Sequence, residues 1–141
     1  IGIVGKDILL ETDLENNHYE ILDLNLGICR MSLASLDDSL PKNKKIKVAT
    51  KYPVHAKNYF SNLSIDIDIV ILKGAVEIAP ILGLSDCIVD LVQTGKTLEE
   101  NGLKELQLIS NISSRMIVNK SSFKFNNKMI KDLSNNFKKE I

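Results

Sequence analysis

Apolar, β-branched runs at residues 45–50, 65–72 and 87–92 alternate with segments of helical character, and this rhythm constrains the fold more than any other feature of the chain. Runs so continuously apolar suit strands buried on both faces, which means a mostly parallel sheet covered by helices on either side. Pro53 suits a first helical turn and opens a helix carried by residues 54–62. A short apolar helix is expected at 76–82, and another begins after the third run. In sheets of this kind ligands bind beyond the carboxyl ends of the strands.

The flanking sequence continues the α/β pattern. Residues 1–4, 19–24 and 28–34 read as strands, with a short helix ending at Glu11. The third of these strands carries a polar insertion, Cys29-Arg30-Met31-Ser32. Residues 36–45, with Pro41 and neighbouring lysines, read as an exposed connector. Residues 103–109 and 112–118 read as further strands, and 126–140 as an amphipathic helix with Met129, Ile130, Leu133 and Phe137 at helical spacing.

Composition removes several function classes. Eighteen basic residues balance eighteen acidic ones, so no global field draws the chain to nucleic acid or an anionic membrane. Trp is absent and aromatics are 5%, too few for a platform that stacks single-stranded bases. Cys29 and Cys87 lie far apart in apolar runs, and His18 and His55 are isolated, so no metal-ligand spacing is present. Both thiols read as buried cysteines of a reducing, cytoplasmic compartment. No run has the length of a membrane span and no leader is visible. The chain opens inside a strand without Met, so preceding sequence is expected.

Chemistry concentrates where strands end. Cys87-Ile88-Val89-Asp90-Leu91-Val92 runs into Thr94-Gly95-Lys96-Thr97, and a helix follows. A strand feeding a small-residue loop into a helix start is suited to phosphate: free N–H groups and the positive helix end face the anion. Gly95 permits close backbone approach, the two hydroxyls donate, and Asp90 stands ready for a hydroxyl or a metal-bound water. The loop lacks the P-loop spacing, and a helix capped by Thr94 with Lys96 solvated is the plain structural alternative. A second junction, Lys73-Gly74-Ala75-Val76-Glu77, places Glu77 at a helix start, where it either meets a ligand or complements the dipole. A third is Gly2-Ile3-Val4-Gly5-Lys6-Asp7. Arg30, inside an apolar strand, requires an acid, water or an anion as partner, and Lys51 with Tyr52 closes a further strand.

Taken in order, these junctions resemble the ATP phosphoribosyltransferase family. The matching pieces are Gly2-Ile3-Val4-Gly5-Lys6-Asp7, Cys29-Arg30-Met31-Ser32, Val48-Ala49-Thr50-Lys51-Tyr52-Pro53 and Val76-Glu77-Ile78-Ala79-Pro80. Gly83-Leu84-Ser85-Asp86, Ile88-Val89-Asp90-Leu91-Val92, Thr94-Gly95-Lys96-Thr97-Leu98 and Asn101-Gly102-Leu103 continue the series. The resemblance runs from Gly2 to about Asn119.

It implies a two-lobed α/β fold like that of periplasmic binding proteins, with mostly parallel sheets and helices on both faces. Residues 1–34 would be part of the first lobe and 35–110 the second lobe, with the phosphoribosyl-binding loop. Residues 111–141 would be a return strand and C-terminal helix toward the first lobe. The implied reaction joins 5-phosphoribosyl-1-pyrophosphate to N1 of the adenine of ATP, with release of pyrophosphate and a requirement for Mg²⁺, as the first step of histidine biosynthesis. By resemblance Asp90 holds ribose hydroxyls, and Thr94, Gly95, Lys96 and Thr97 cradle the 5-phosphate. Lys73, Gly74 and Glu77 border the ribose and nucleotide, and Arg30 and Lys51 are further cleft residues. No covalent nucleophile and no metal ligand is assigned.

The family commonly has Asn-Gly-Ser-Val-Glu where this chain has Lys73-Gly74-Ala75-Val76-Glu77, so one hydroxyl is lost and a charge gained. A family Lys-Gly-Arg segment is absent, and the fragment alone is expected to be inactive. The lack of a regulatory domain after Glu140 resembles the short form, a homo-oligomer that works with a regulatory subunit similar to histidyl-tRNA synthetase. A solute-binding or sensor lobe of the same fold, without catalysis, is the alternative, and a subunit that has lost catalysis a third reading. The motif order favours the enzyme.

Overall fold

The computed structural model describes residues 1–141, the side chains of Asp13 and Glu15 excepted, and places the strands in two sheets. In chain order the elements begin with β1 (Gly2–Gly5), α1 (Lys6–Glu11), a 3-10 turn (Asp13–Asn16) and β2 (His18–Asp23). They continue with β3 (Cys29–Ser35), β4 (Ile46–Thr50), α2 (Pro53–Asn62), β5 (Ile67–Ile71) and a second 3-10 turn (Val76–Ile78). The last are β6 (Cys87–Val92), α3 (Lys96–Glu100), β7 (Lys104–Ile112), β8 (Ser114–Asn119), α4 (Lys120–Phe125) and α5 (Asn127–Glu140). The chain divides into one unit of Ile1–Ile28 with Ile112–Ile141 and another of Cys29–Asn111.

The first unit carries a sheet in the order β1-β8-β2, antiparallel at both pairings, with a register shift between Glu20 and Leu22. Leu9, Leu24, Met116, Val118 and Ile130 are buried in it. Arg115 on the central strand contacts Glu20 at 3.1 Å and Asp23 at 2.8 Å, so the strands are also joined through charge. The α4 helix was not foreseen from the sequence. Asn119 caps it by accepting from the N–H groups of Ser121 and Ser122.

The second unit carries the sheet β5-β4-β6-β3-β7. Strand β4 runs parallel to β5 and β6, as its apolar run suggests, whereas β3 pairs antiparallel to β6. The second sheet is therefore mixed and the first antiparallel, where mostly parallel sheets were expected. The domain boundary also differs from the expected one. Residues 29–34, expected in the first lobe, belong to the second unit because β3 hydrogen-bonds along β6, from Arg30 opposite Val92 to Ala34 opposite Ile88.

Alternation along β6 sorts its side chains onto two faces. Ile88 and Val92 lie on one, packed into a cluster with Ala34, Ala49, Val76, Ala79, Leu98 and Leu103. Asp90 stands between them on that face. Cys87 and Val89 lie on the other and are wholly buried. Burial, with the charge of Asp86 adding to it, pushes the Cys87 thiol up to about 12, so it stays protonated and inert. Cys29, expected to be buried, is only half-buried.

The apolar helix expected at 76–82 is instead a 3-10 turn followed by further turns. Ile78 donates to Ala75 and Ala79 to Val76, three residues back, and Pro80 has no N–H with which to continue a helix. Ala75, before the turn, has φ +52°, a left-handed conformation that strains any residue with a Cβ. Ala75→Gly in the full-length protein is expected to raise the unfolding free energy by up to about 1 kcal/mol. Urea denaturation checks it, and a lower midpoint would show that Ala75 bears no strain.

Candidate functional site

At the carboxyl end of β6 the chain turns through Gln93, Thr94 and Gly95 into α3. Gly95 sits at φ +88°, which glycine alone adopts without strain, and the turn depends on it. The Thr94 hydroxyl accepts from the Lys96 N–H at 3.3 Å. A cleft of about 340 Å³ opens over this strand end, lined among others by Glu77, Asp90, Thr94, Gly95 and Thr97. Its volume lies at the small end of the roughly 300–1,000 Å³ range of small-molecule sites.

Asp90 accepts the N–H of Leu91 at 2.8 Å. Its pKa is raised above the ordinary aspartate value, mainly by burial and further by the charge of Glu77 across the cleft; Leu91 N–H and Lys51 oppose the rise. The three side chains thus share one electrostatic neighbourhood. Lys51 is held there by the end of β4. The Thr50 hydroxyl, fully buried, donates to the Val89 carbonyl at 2.6 Å and accepts the Tyr52 N–H at 2.9 Å. The Lys51 ammonium lies 5.8 Å from the Tyr52 ring centroid.

The structure therefore brings together five of the ten residues singled out from sequence and sets Lys51 beside them. Lys96 points away: its side chain is 78% exposed and lies 3.7 Å from Glu100, one turn along α3. Lys73 and Gly74 are exposed and outside the cleft lining. Arg30 is also outside the lining. Its Nε donates to Glu105 Oε1 at 2.6 Å, its Nη2 to Oε2 at 2.7 Å, and its Nη1 to the Gln93 carbonyl at 3.0 Å. The Ser32 hydroxyl donates to Glu105 Oε1 at 2.6 Å. The Arg30 contact, more than Ser32 and against the cost of burial, holds the Glu105 carboxyl below its usual range. Glu105 was missed from sequence; no local signal marks a glutamate whose partner is 75 residues away.

Two hard oxygen donors, Asp90 and Glu77, face the cleft together. No group of three or more His, Cys, Asp or Glu side chains poised for a metal occurs among the described residues. A larger hollow of about 540 Å³ opens around Leu33, Leu40, Tyr59 and Lys44. It has no strand-end loop, and Lys44 is tied to Asp86 at 2.5 Å. The smaller, polar cleft is the candidate site.

Comparison with known proteins bears on the whole chain. A protein-family model described as ATP phosphoribosyltransferase matches residues 1–139. An ATP phosphoribosyltransferase of Bacillus cereus is 49% identical over 142 residues, covering all of this chain; the chain spans 66% of that relative's length. The ATP phosphoribosyl transferase (HisG:HisZ) complex from Thermotoga maritima superposes with a TM-score of 0.86 at 33% identity, over 98% of this chain and 68% of that one. A probable amino-acid ABC transporter extracellular-binding protein from Bacillus subtilis shares the fold alone: TM-score 0.58 at 12% identity, over 92% of this chain and 60% of the other. By the extent of the family match and the identity across its whole length, the chain belongs to the ATP phosphoribosyltransferase family.

Proposed function

We propose that the full-length protein transfers the phosphoribosyl group of 5-phosphoribosyl-1-pyrophosphate to N1 of the adenine of ATP, the first step of histidine biosynthesis. The adenine nitrogen attacks the anomeric carbon as the carbon–oxygen bond to pyrophosphate breaks, so no covalent enzyme intermediate is required. Catalysis then consists of orientation and charge stabilisation. The observation that carries the reading is a strand-end carboxylate facing a glycine-and-hydroxyl loop in one cleft.

In this reading Asp90 accepts hydrogen bonds from ribose hydroxyls, and its negative charge faces the positive charge that develops at the anomeric carbon. The Thr94 and Thr97 hydroxyls and the loop N–H groups around Gly95 donate to the 5-phosphate. Lys51 adds positive charge beside the bound donor, and Glu77 borders the nucleotide. Mg²⁺, if bound here, would neutralise charge on the departing pyrophosphate. Asp90 and Glu77, both lining the cleft, are the residues that would hold it, since Mg²⁺ accepts one or two carboxylates beside phosphate oxygens. A cytoplasmic homo-oligomer assembling with a regulatory subunit similar to histidyl-tRNA synthetase completes the reading. The solved complex of the Thermotoga maritima relative supports that partnership. The solute-binding alternative rests on fold likeness and leaves the Asp90–Glu77 pair unexplained.

Thr97→Val in the full-length protein is expected to raise KM for phosphoribosyl pyrophosphate about tenfold, the worth of a hydrogen bond to a charged group, with KM for ATP nearly unchanged. The assay supplies ATP, the donor and Mg²⁺, with and without the regulatory subunit. If native protein forms no phosphoribosyl-ATP under either condition, the proposed reaction is wrong.

A further inference from the structure

We propose that Arg30 and Glu105, supported by Ser32, are positioning residues that clamp the loop after β6 and set the direction of its phosphate donors. The inference rests on the phosphoribosyl-binding reading of that loop. Its basis is a row of polar side chains on one sheet face. Ser32 is in register with Asp90, and Arg30 with Val92, so all four share the face that carries the cleft. Glu105 on β7 meets both Arg30 and Ser32 of β3. Arg30 in turn reaches the carbonyl of Gln93, the first residue after the strand. A Cβ on Gly95 would lie 3.7 Å from Nη2, which puts the loop backbone against the guanidinium.

Three guanidinium nitrogens are already committed, and the carboxylate neutralises the charge. An arginine so engaged does not act as a free anion ligand. It converts a fork-and-fork ion pair into a fixed position for a carbonyl, and lysine cannot copy that planar geometry. The clamp anchors the loop at Gln93, two residues before the left-handed turn at Gly95. A loop released there keeps its hydroxyls but loses their common aim.

The test uses the full-length protein, with ribose 5-phosphate as a binding probe titrated by calorimetry alongside steady-state kinetics. Glu105→Gln and Arg30→Lys are each expected to weaken ribose 5-phosphate binding and raise KM for the phosphoribosyl donor about tenfold, leaving KM for ATP within about twofold. The double variant is expected to be no worse than the poorer single one, because both break one clamp. A direct phosphate role for Arg30 predicts otherwise: Glu105→Gln would free the guanidinium and bind as tightly as native protein or tighter. That result overturns the proposal, as does a lowered thermal midpoint with unchanged binding. If either variant fails to fold, Ser32→Ala removes only the bond to Glu105 and is expected to weaken binding about twofold to threefold; native affinity there overturns the clamp. A native protein with no affinity for ribose 5-phosphate would instead overturn the loop reading beneath it.

Discussion

Replacing Asp90 with Asn in the full-length protein is expected to lower kcat/KM for phosphoribosyl pyrophosphate at least about 100-fold while raising the thermal midpoint. The two effects come from one cause. The carboxylate is half-buried and has Glu77 near it, so folding holds its charge at a cost. Asparagine keeps an oxygen for the Leu91 N–H and removes that charge. Stability therefore rises, while the group proposed to orient the ribose and face developing positive charge is lost. This is the expected trade at a functional site. A variant that is both less stable and fully active would remove Asp90 from the site.

The raised pKa fixes the pH dependence. In the proposed reaction the ionised form orients the ribose, so activity is expected to fall as pH drops through a value above the ordinary aspartate range. Glu77→Gln removes a charge that raises the pKa and should move this acid limb to lower pH. Lys51→Met removes one that lowers it and should move the limb up. For stability the sign is opposite to that of a salt-bridged aspartate. The neutral form is favoured in the fold, so Asp90 costs nothing at low pH, and its stability is lost as pH rises through the folded pKa. The gain from Asp90→Asn should thus be absent below the ordinary aspartate range and reach its plateau above the raised value. Thermal melts of both proteins across the acid range measure this.

The part of the fold that was legible in the sequence is the part made by local pattern. The runs of β4, β5 and β6 announce themselves through their density of Ile and Val, and β6 also because both its faces are largely buried. The strand-end loop was legible because Thr94, Gly95 and Thr97 lie within a few residues of one another. What was hidden is nonlocal. Nothing in residues 28–34 says that they pair with β6 in the second unit; strand partners are chosen by register over long separations. Arg30 signalled that it needed a partner, and its neighbours could not name Glu105. The turn at 76–82 was readable in principle: an apolar tract looked helical, but Pro80 lacks the donor a helix needs. The α4 helix had an equally plain sign in the Asn119 cap, masked by the weakly apolar tract Lys120–Phe125.

Gly95→Val in the full-length protein is expected to cost at least about 100-fold in kcat/KM for the phosphoribosyl donor, with a smaller loss of stability. At φ +88° a β-branched residue is a strained outlier. Collision is not the reason: a Cβ here would meet nothing closer than Arg30 Nη2 at 3.7 Å, ordinary van der Waals distance. The backbone itself must change. Left-handed geometry costs a residue with a Cβ roughly 1–2 kcal/mol, and the exposed loop relieves that strain by rotating. Rotation would turn the N–H groups and the Thr94 and Thr97 hydroxyls away from the proposed 5-phosphate position, and misplacement of about 1 Å can cost on the order of 100-fold. Gly95→Ala separates the contributions. It imposes the same left-handed strain without the branched side chain, so it should lose nearly as much activity as Gly95→Val. If Gly95→Ala keeps native kcat/KM while Gly95→Val fails, bulk rather than backbone conformation controls the loop. If both keep it, the phosphate is held elsewhere.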